Sequence, residues 1–340
     1  MADNERKKLT NGIHIFSFLV ILLLVGCGSS STGSTLLIDE LASPRGLTPL
    51  ENGRLLISEG GAGRLLLLDK ENNQEVLYEG IAFLKKGTEG APVGVSSAIY
   101  FEGKYYYIVG EARAKEFREV YSFEKGSIPR PLTGQDPIGL NPPNPLMNPY
   151  DLLGLDSDGL LISDSGANVI WHVSLSGEIK LYSELEPVNY SSDDGPAQTQ
   201  AVPTGMSFGP DGAVYVATLT GAPFPRYEAQ IIRLYDINGD GDAMDKNETT
   251  IYATGFSAAT DVSFLSDGRM LVTEYSQDMK NLANTGFGES YKYPGRLVLW
   301  DKGNITVLSN DLVSPTSVAV WQNRIYVSEE FAGRVRKIEQ

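Results

Sequence analysis

The 340-residue chain has one cysteine, Cys27, and two histidines, His14 and His172. A single thiol near the start excludes a disulfide framework, and it leaves no cysteine-based metal centre or nucleophile for the part of the chain that folds. His14 belongs to the N-terminal leader, so His172 is the only imidazole of the folded part. Any mechanism needing a histidine pair is therefore untenable, and a Ser-His-Asp triad would rest wholly on this residue. His172 follows Trp171 in an apolar run, where a packed histidine is the simpler reading. No convincing helical periodicity of about 12 residues or more is present. No nucleophile elbow, phosphate loop or dinucleotide fingerprint stands in the strand–helix context its chemistry requires, so no nucleotide, haem or flavin is expected. Basic residues are few, 28 against 43 acidic, for a net charge of −15. That balance argues against a nucleic-acid partner and against docking on anionic lipid by charge.

What the chain does contain is one short pattern repeated around Pro44, Pro92, Pro149, Pro203, Thr260 and Pro315. Each copy reads as an apolar strand, an Asp-Gly or Asn-Gly turn, a second strand ending in a hydroxyl or acidic residue, and a third strand. Asn52-Gly53, Asp158-Gly159, Asp211-Gly212 and Asp267-Gly268 supply the turns; such dipeptides accept positive φ and close tight hairpins. A fourth strand follows in most copies, at 75–78, 179–182, 250–253 and 305–308. The last copy has none before Gln340, and residues 36–41 precede the first copy as 306–308 precede the last. A strand repeat of roughly 40–50 residues predicts propeller blades. The expected fold is all-β: a six-bladed β-propeller of four-stranded blades over residues 35–340, closed by the N-terminal strand completing the last blade.

Residues 1–26 read as an address. Arg6, Lys7 and Lys8 precede an apolar stretch over 13–25 that is too short to span a bilayer. It ends in Leu24-Val25-Gly26-Cys27, followed by Gly28-Ser29-Ser30-Ser31. Small residues before a cysteine at the end of a short apolar run predict a lipoprotein signal peptide, with Cys27 lipidated and residues 27–34 a flexible tether. A secretory signal with an incidental cysteine is the alternative. The expected location is extracytoplasmic, on a bacterial membrane held through the lipid anchor only, and a monomer is expected. The leader holds three basic and two acidic residues, so the rest keeps 25 basic against 41 acidic.

The connections expected on one face are long, at 83–91, 134–150, 185–202, 218–230 and 275–295, which marks that face as the one for binding. They carry Tyr190, Phe224, Tyr227, Phe287, Tyr291 and Tyr293 among proline and glycine, either a rim for an apolar or sugar ligand or a plug of the channel mouth. Glu59, Asp164, Glu274 and Glu329 end second strands, with Glu111 in the diverged copy; Arg45, Asp151 and Asp261 stand where innermost strands begin. Such a ring of acids is either an axial divalent-cation site or a set of partners for Arg45 or for the backbone amides of the next blade, the latter being favoured because the acids follow the repeat. A separate candidate is the loop with Asp236, Asn238, Asp240 and Asp242 at alternate positions and Gly241 at the sharp turn, a calcium-loop opening. Position 12 is Asn247, leaving Asp245 or Glu248 as the closing ligand. A calcium ion that stiffens a hairpin, or a bare acidic turn, both fit.

The stretch Val202-Pro203-Thr204-Gly205, the turn Gly209-Pro210-Asp211-Gly212 and the insertion Leu219-Thr220-Gly221-Ala222-Pro223-Phe224-Pro225 resemble the signature of the ScyD/ScyE family of secreted bacterial propellers. Asn148-Pro149-Tyr150-Asp151, Ser163-Asp164-Ser165-Gly166 and Tyr252-Ala253-Thr254-Gly255-Phe256 are similar to it too. The resemblance covers most of 35–340 and implies a six-bladed ring of the NHL and lactonase-like group, with no catalytic residues to carry over. Two functions follow as expectations. The first is a lipid-anchored propeller that binds a small molecule, glycan or protein on its long-loop face. The alternative is a metal-dependent hydrolase of the sugar-lactone lactonase kind, using calcium near Glu59, Asp164, Glu274 and Glu329. A quinone-cofactor dehydrogenase is a third reading, weakened by the lack of histidine.

Overall fold

The computed structural model describes residues 33–87, 91–110, 117–134, 145–156 and 159–339. They form six four-stranded antiparallel sheets and one extra two-stranded hairpin. Blade one is Pro44–Pro49, Leu55–Glu59, Arg64–Leu68 and Gln74–Glu79; blade two is Val95–Phe101, Lys104–Val109, Glu119–Phe123 and Arg130–Pro131. Blade three is Pro149–Leu155, Gly159–Asp164, Val169–Ser174 and Ile179–Glu184; blade four is Pro203–Phe208, Val214–Thr218, Ala229–Leu234 and Thr249–Phe256. Blade five is Ala259–Phe264, Met270–Glu274, Gly295–Asp301 and Asn304–Leu312. Blade six is Pro315–Trp321, Arg324–Glu329, Arg334–Ile338 and, from the other end of the chain, Ser34–Ile38. That strand pairs Ser34 with Ile338 and Ile38 with Val335, so the ring closes as the repeat implies. Each innermost strand meets the next around the axis, and that of blade six meets that of blade one. Blade two begins at Val95, three residues after the Pro92 suggested by the repeat.

The core lies between blades, because a sheet with two apolar faces must bury both. Leu56, Leu65 and Leu67 of blade one pack on Val95, Ala98 and Tyr107 of blade two. Ile57 and Leu66 pack the other face on Ala319, Trp321 and Tyr326 of blade six, with Ile38 from the closing strand. Each buried side chain of this kind contributes about 1.5–3 kcal/mol. Gly212 and Gly268 take φ of 79° and 86° in the first hairpin turns, where other residues would be strained.

Two insertions rise on one end. The connection after blade four's second strand folds back through Phe224, and the one after blade five's second strand forms an α-helix, Met279–Thr285, and a 3-10 helix, Phe287–Lys292. The α-helix begins at Asp278, whose carboxylate caps the amide of Asn281. Met279, Leu282, Phe287, Leu219 and Phe224 form a small apolar cluster that joins the two insertions. The extra hairpin, Val188–Ser192 with Gly195–Thr199, occupies the long connection from blade three to blade four.

Candidate functional site

Successive residues of a strand face opposite sides, and this alternation sorts the acids. Glu59, Asp164, Glu274 and Glu329 end their second strands fully buried. Each receives the backbone amide of the segment leading into its own blade: Ala42 to Glu59, Met147 and Asn148 to Asp164, Ser257 to Glu274, Val313 to Glu329. Three also pair with an arginine on the neighbouring third strand, Glu59 with Arg64, Glu274 with Arg296 and Glu329 with Arg334. Asp164 instead takes Gly166 and Ala167 amides and the Trp171 indole. Burial pushes the Glu274 carboxyl up, against the pull of Arg296. The four acids tie the entry segment, and through an arginine or the Trp171 indole the third strand, to their own blade, not to Arg45 or to the next blade as the sequence suggested, and they line neither axial cavity. In blade two the matching register position is Val109, and Glu111 lies outside the described residues.

The residue after each strand-end position turns towards the axis. Gly110, Ser165, Leu219, Tyr275 and Glu330 occupy it in blades two to six, and all five line a cavity of about 610 Å³ at the long-loop end. A second ring comes from the second residue of each innermost strand: Arg45, Ser96, Tyr150, Thr204, Thr260 and Thr316. Its hydroxyls follow a rule. Ser96 donates to the Pro149 carbonyl, Thr204 to Ala259, Thr260 to Pro315 and Thr316 to Pro44, each bridging to the next blade. Arg45 and Tyr150 break the rule, and the Arg45 guanidinium sits 5.3 Å from the centre of the Tyr150 ring, a cation–π distance. Together they form the cavity floor.

Glu330 completes the floor. Its carboxylate accepts from Ser43 Oγ at 2.9 Å and Tyr275 Oη at 3.1 Å, and lies 4.0 Å from Arg45 Nε. That Nε is buried without a hydrogen-bond partner. Burial raises the Tyr275 and Tyr150 phenols far above their ordinary range, and the nearby Glu330 carboxylate adds to it, so both remain protonated donors. One wall is residues 219–224, where Thr220, a β-branched residue, takes a φ of 69°. Met279 and Phe287, packed in one cluster with Leu219 and Phe224, line the cavity too.

A third layer lies below, one residue further along each innermost strand: Gly46, Ser97, Asp151, Gly205, Asp261 and Ser317. The register pairs Pro44 with Glu59 and Pro149 with Asp164, so Arg45 corresponds to Tyr150 and sits one residue out of step with Asp151 and Asp261. Asp151 accepts the Met206 amide of blade four, and Asp261 accepts Ser317 Oγ and the Val318 amide of blade six. Gly205 stands between them because a side chain there would run into the Asp261 carboxylate. Burial, and then the neighbouring Asp151, push Asp261 up to about 8.

The sequence-predicted calcium loop is the third hairpin of blade four, on the end opposite the cavity. Asp236 takes the Gly239 and Gly241 amides, Glu248 takes those of Ile237, Asn238 and Asp245, and the Asn238 amide donates to both Asp240 and Asp245. The Asp242 carboxylate turns to the Met244 amide. Among the described residues no group of three or more His, Cys, Asp or Glu side chains converges to hold a metal ion, at this loop or on the axis.

Of the rim aromatics, Phe224 lines the cavity and Tyr293 packs on the cluster behind it. Tyr227 and Tyr291 are exposed, stacked by Arg226 and Lys292, and Tyr190 sits on the extra hairpin. Sequence reasoning missed Tyr150, Thr220, Tyr275 and Glu330. The available signal was departure from the repeat: Arg and Tyr where other blades carry Ser or Thr, and Tyr and Glu where others carry Gly, Ser or Leu.

Neither a family model nor a curated protein sequence matches the chain. Solved structures do. A gluconolactonase of Xanthomonas campestris is similar at 12% identity and a TM-score of 0.59, with 90% of this chain and 89% of that one covered. The soluble aldose sugar dehydrogenase of Escherichia coli is similar at 14% identity and a TM-score of 0.56, covering 90% and 99%. Virginiamycin B lyase of Staphylococcus aureus is similar at 14% identity and a TM-score of 0.54, covering 91% and 98%. At such identities the likeness shows the fold, a six-bladed propeller of the lactonase and virginiamycin B lyase-like architecture.

Proposed function

We propose that the chain is a hydrolase of the lactonase type, opening a cyclic ester in the axial cavity. The observation that carries this reading is the floor of that cavity, where a buried carboxylate, Glu330, stands 4.0 Å from the guanidinium of Arg45, whose side chain keeps 20% of its surface exposed. The gluconolactonases among structures of the same fold support it. Glu330 takes a proton from a water molecule as that water attacks the ester carbon. The Arg45 guanidinium stabilises the oxyanion that forms there, a role that is often worth a few kcal/mol at the transition state. The ring C–O bond then breaks, the proton passes to the leaving alkoxide, and lactone plus water become a hydroxy acid. Tyr275 donates to Glu330 and fixes its orientation. The four strand-end acids are bonded to arginine, indole and backbone amides, so they do not fit an axial metal and no step is routed through one.

The test is a lactone panel assayed against the wild type and Glu330→Gln. Loss of a general base lowers kcat by roughly 10²–10⁴-fold. A wild type that binds these compounds without turning any over would refute the hydrolase and return the binding function. We also retain the ScyD/ScyE-like grouping, a lipid-anchored extracytoplasmic location through Cys27, which lies outside the described residues, and a calcium ion stiffening the Asp236–Glu248 hairpin. Radiolabelled palmitate incorporated by wild type and not by Cys27→Ser tests the anchor.

A further inference from the structure

The two ends of the ring are unlike. One carries the cavity and its insertions, and the other carries the first and third hairpin turns of the blades. The register of blade six fixes where the N-terminal segment joins the ring. Its second strand ends at Glu329, next to the cavity residue Glu330. The third strand starts at Arg334, opposite Glu329, and runs away from the cavity to Ile338, opposite Ile325. Ser34 pairs with Ile338, and the Gly33 carbonyl accepts the Glu339 amide at 2.8 Å. The chain therefore enters the ring at the end opposite the cavity, and a backbone hydrogen bond pins it there.

The length of the tether limits the orientation. Cys27 stands six residues before Gly33. A fully extended chain spans about 3.5 Å per residue, so a lipid anchor on Cys27 lies within about 20 Å of Gly33. The first three strands of blade six are seven, six and five residues long. At about 3.3 Å per residue they alone stand roughly 17–23 Å tall. The helical insertion after blade five's second strand adds about one helix diameter, ~10 Å, on the cavity end. A tether rooted at Gly33 is too short to climb the flank of blade six and clear that insertion. It is long enough for the opposite end to stand over a bilayer.

The opposite end also presents apolar tips. Blades two, four and six alternate around the ring. Blade six supplies the tether, and the third hairpins of blades two and four expose Ile128 at 81%, Ile237 at 59% and Met244 at 53%. Asp236, Asp240, Asp242 and Asp245 lie in the same loop as Ile237 and Met244 and repel anionic headgroups, so the tether rather than charge holds this end in place.

Resting on the reading that Cys27 is lipidated, we propose that the hairpin end of the propeller is its lipid-facing surface. Ile128, Ile237 and Met244 lie nearest the headgroups, and the axial cavity opens away from the bilayer. A ligand then reaches the cavity from the aqueous phase and not from within the membrane.

The sequence has one cysteine, so an acylated Cys27 leaves any introduced cysteine as the sole free thiol. Ile128→Cys and Met244→Cys mark the hairpin end, and Met147→Cys and Tyr291→Cys mark the cavity end; all four side chains are at least half exposed. Each variant is made in the full lipidated chain, labelled with a maleimide donor dye and reconstituted in vesicles with acceptor-labelled headgroups. Energy transfer from both hairpin-end sites is expected to exceed that from both cavity-end sites by roughly twofold or more, as a height difference of about 20–30 Å requires. Exposed positions on four blades preserve the comparison if one variant fails to fold. Equal transfer from the two ends, or greater transfer from the cavity end, overturns the proposal. Palmitate incorporated together with either of those results refutes this orientation alone. No palmitate incorporated refutes the anchor, and the orientation falls with it. A difference between the ends that survives when Cys27→Ser is added to the same vesicles refutes the tether as its cause.

Discussion

The three Glu–Arg pairs at strand ends are chemically alike and differ in how far water reaches them, which makes them an internal experiment. Glu274 is 0% exposed and its partner Arg296 is 15% exposed, whereas Arg64, opposite Glu59, is 33% exposed. Replacing Glu274 with Gln keeps the shape and one acceptor but leaves Arg296 charged and mostly dry. Breaking one side of a buried pair in this way costs about 3–5 kcal/mol. Glu59→Gln leaves an arginine that can rehydrate, so the loss falls to about 1–2 kcal/mol. Glu329→Gln lies between the two, because Glu329 also faces Arg336 at 3.8 Å. For a chain of this size the Glu274 change lowers the melting temperature by about 6–10 °C. The same logic runs in reverse for the pair as a whole: burial already pushes the Glu274 carboxyl up, so the charged pair is itself costly to bury. The double variant Glu274→Leu with Arg296→Met should therefore recover most of what the single one loses. Urea unfolding of the three single variants and the double, compared by midpoint and slope, gives the answer. Equal losses at Glu59 and Glu274, or a double variant no more stable than Glu274→Gln, refutes the assignment of these acids to blade cohesion.

Three further outcomes follow from the layers below and opposite the cavity. Gly205→Ala places a methyl within 2.8 Å of the Asp261 Cα and lowers stability by about 1–3 kcal/mol in thermal melts; an unchanged melt contradicts the packing described. Because burial and Asp151 raise Asp261 to about 8, the folded chain keeps a proton that the unfolded chain releases near pH 4. Stability from this group is therefore fully present below about pH 4 and declines as pH rises to about 8. Asp261→Asn flattens that decline in urea melts at pH 5 and pH 8, whatever it does to the absolute stability, and a slope equal to the wild type's counts against it. At the opposite end, calcium raises the melting temperature of the wild type and chelator lowers it, and Asp240→Ala abolishes the difference; identical melts of wild type and variant in both conditions refute a calcium-stiffened hairpin.

Much of the ring was legible because its determinants are local. Asp211-Gly212 and Asp267-Gly268 fix a hairpin over four residues, and the unbroken apolar runs that follow them, Val214–Thr218 and Met270–Glu274, mark strands buried on both faces. Closure by the N-terminal strand was legible for the same reason, because the last copy lacked one strand and the first was preceded by one, although the strand expected at 36–41 lies at Ser34–Ile38. The helix Met279–Thr285 was not, since it is short and owes its apolar face to Leu219 and Phe224 in another insertion, a contact no local pattern encodes. The strand-end acids drew attention because they recur, and recurrence in a repeat reports the shared task of holding each blade. Glu330 was overlooked beside Glu329, although a shift of one residue carries a strand side chain from the blade's flank to the axis.

That contrast says where function is to be sought in a repeat protein. Residues that do the same structural job must be alike in every blade, as Ser96, Thr204, Thr260 and Thr316 are, each bridging to the next blade's backbone. A blade that departs from the rule gives up its bridge, on the order of 1 kcal/mol of hydrogen bonding. Arg45 gives it up and in addition buries a charge whose Nε has no partner. Tyr150 gives it up and places its ring beneath that same guanidinium. Two departures at unrelated positions in the chain that meet in one contact, at the floor of the one end where the insertions build walls, are not explained by the stability of the ring. A shared bridge given up for an ion pair and a ring contact confined to one end of the axis marks a site shaped for something other than folding. On this argument Arg45 and Tyr150, with Glu330 and Tyr275 facing them, are where the proposed chemistry is to be tested, and the recurring acids Glu59, Asp164, Glu274 and Glu329 are where the scaffold is.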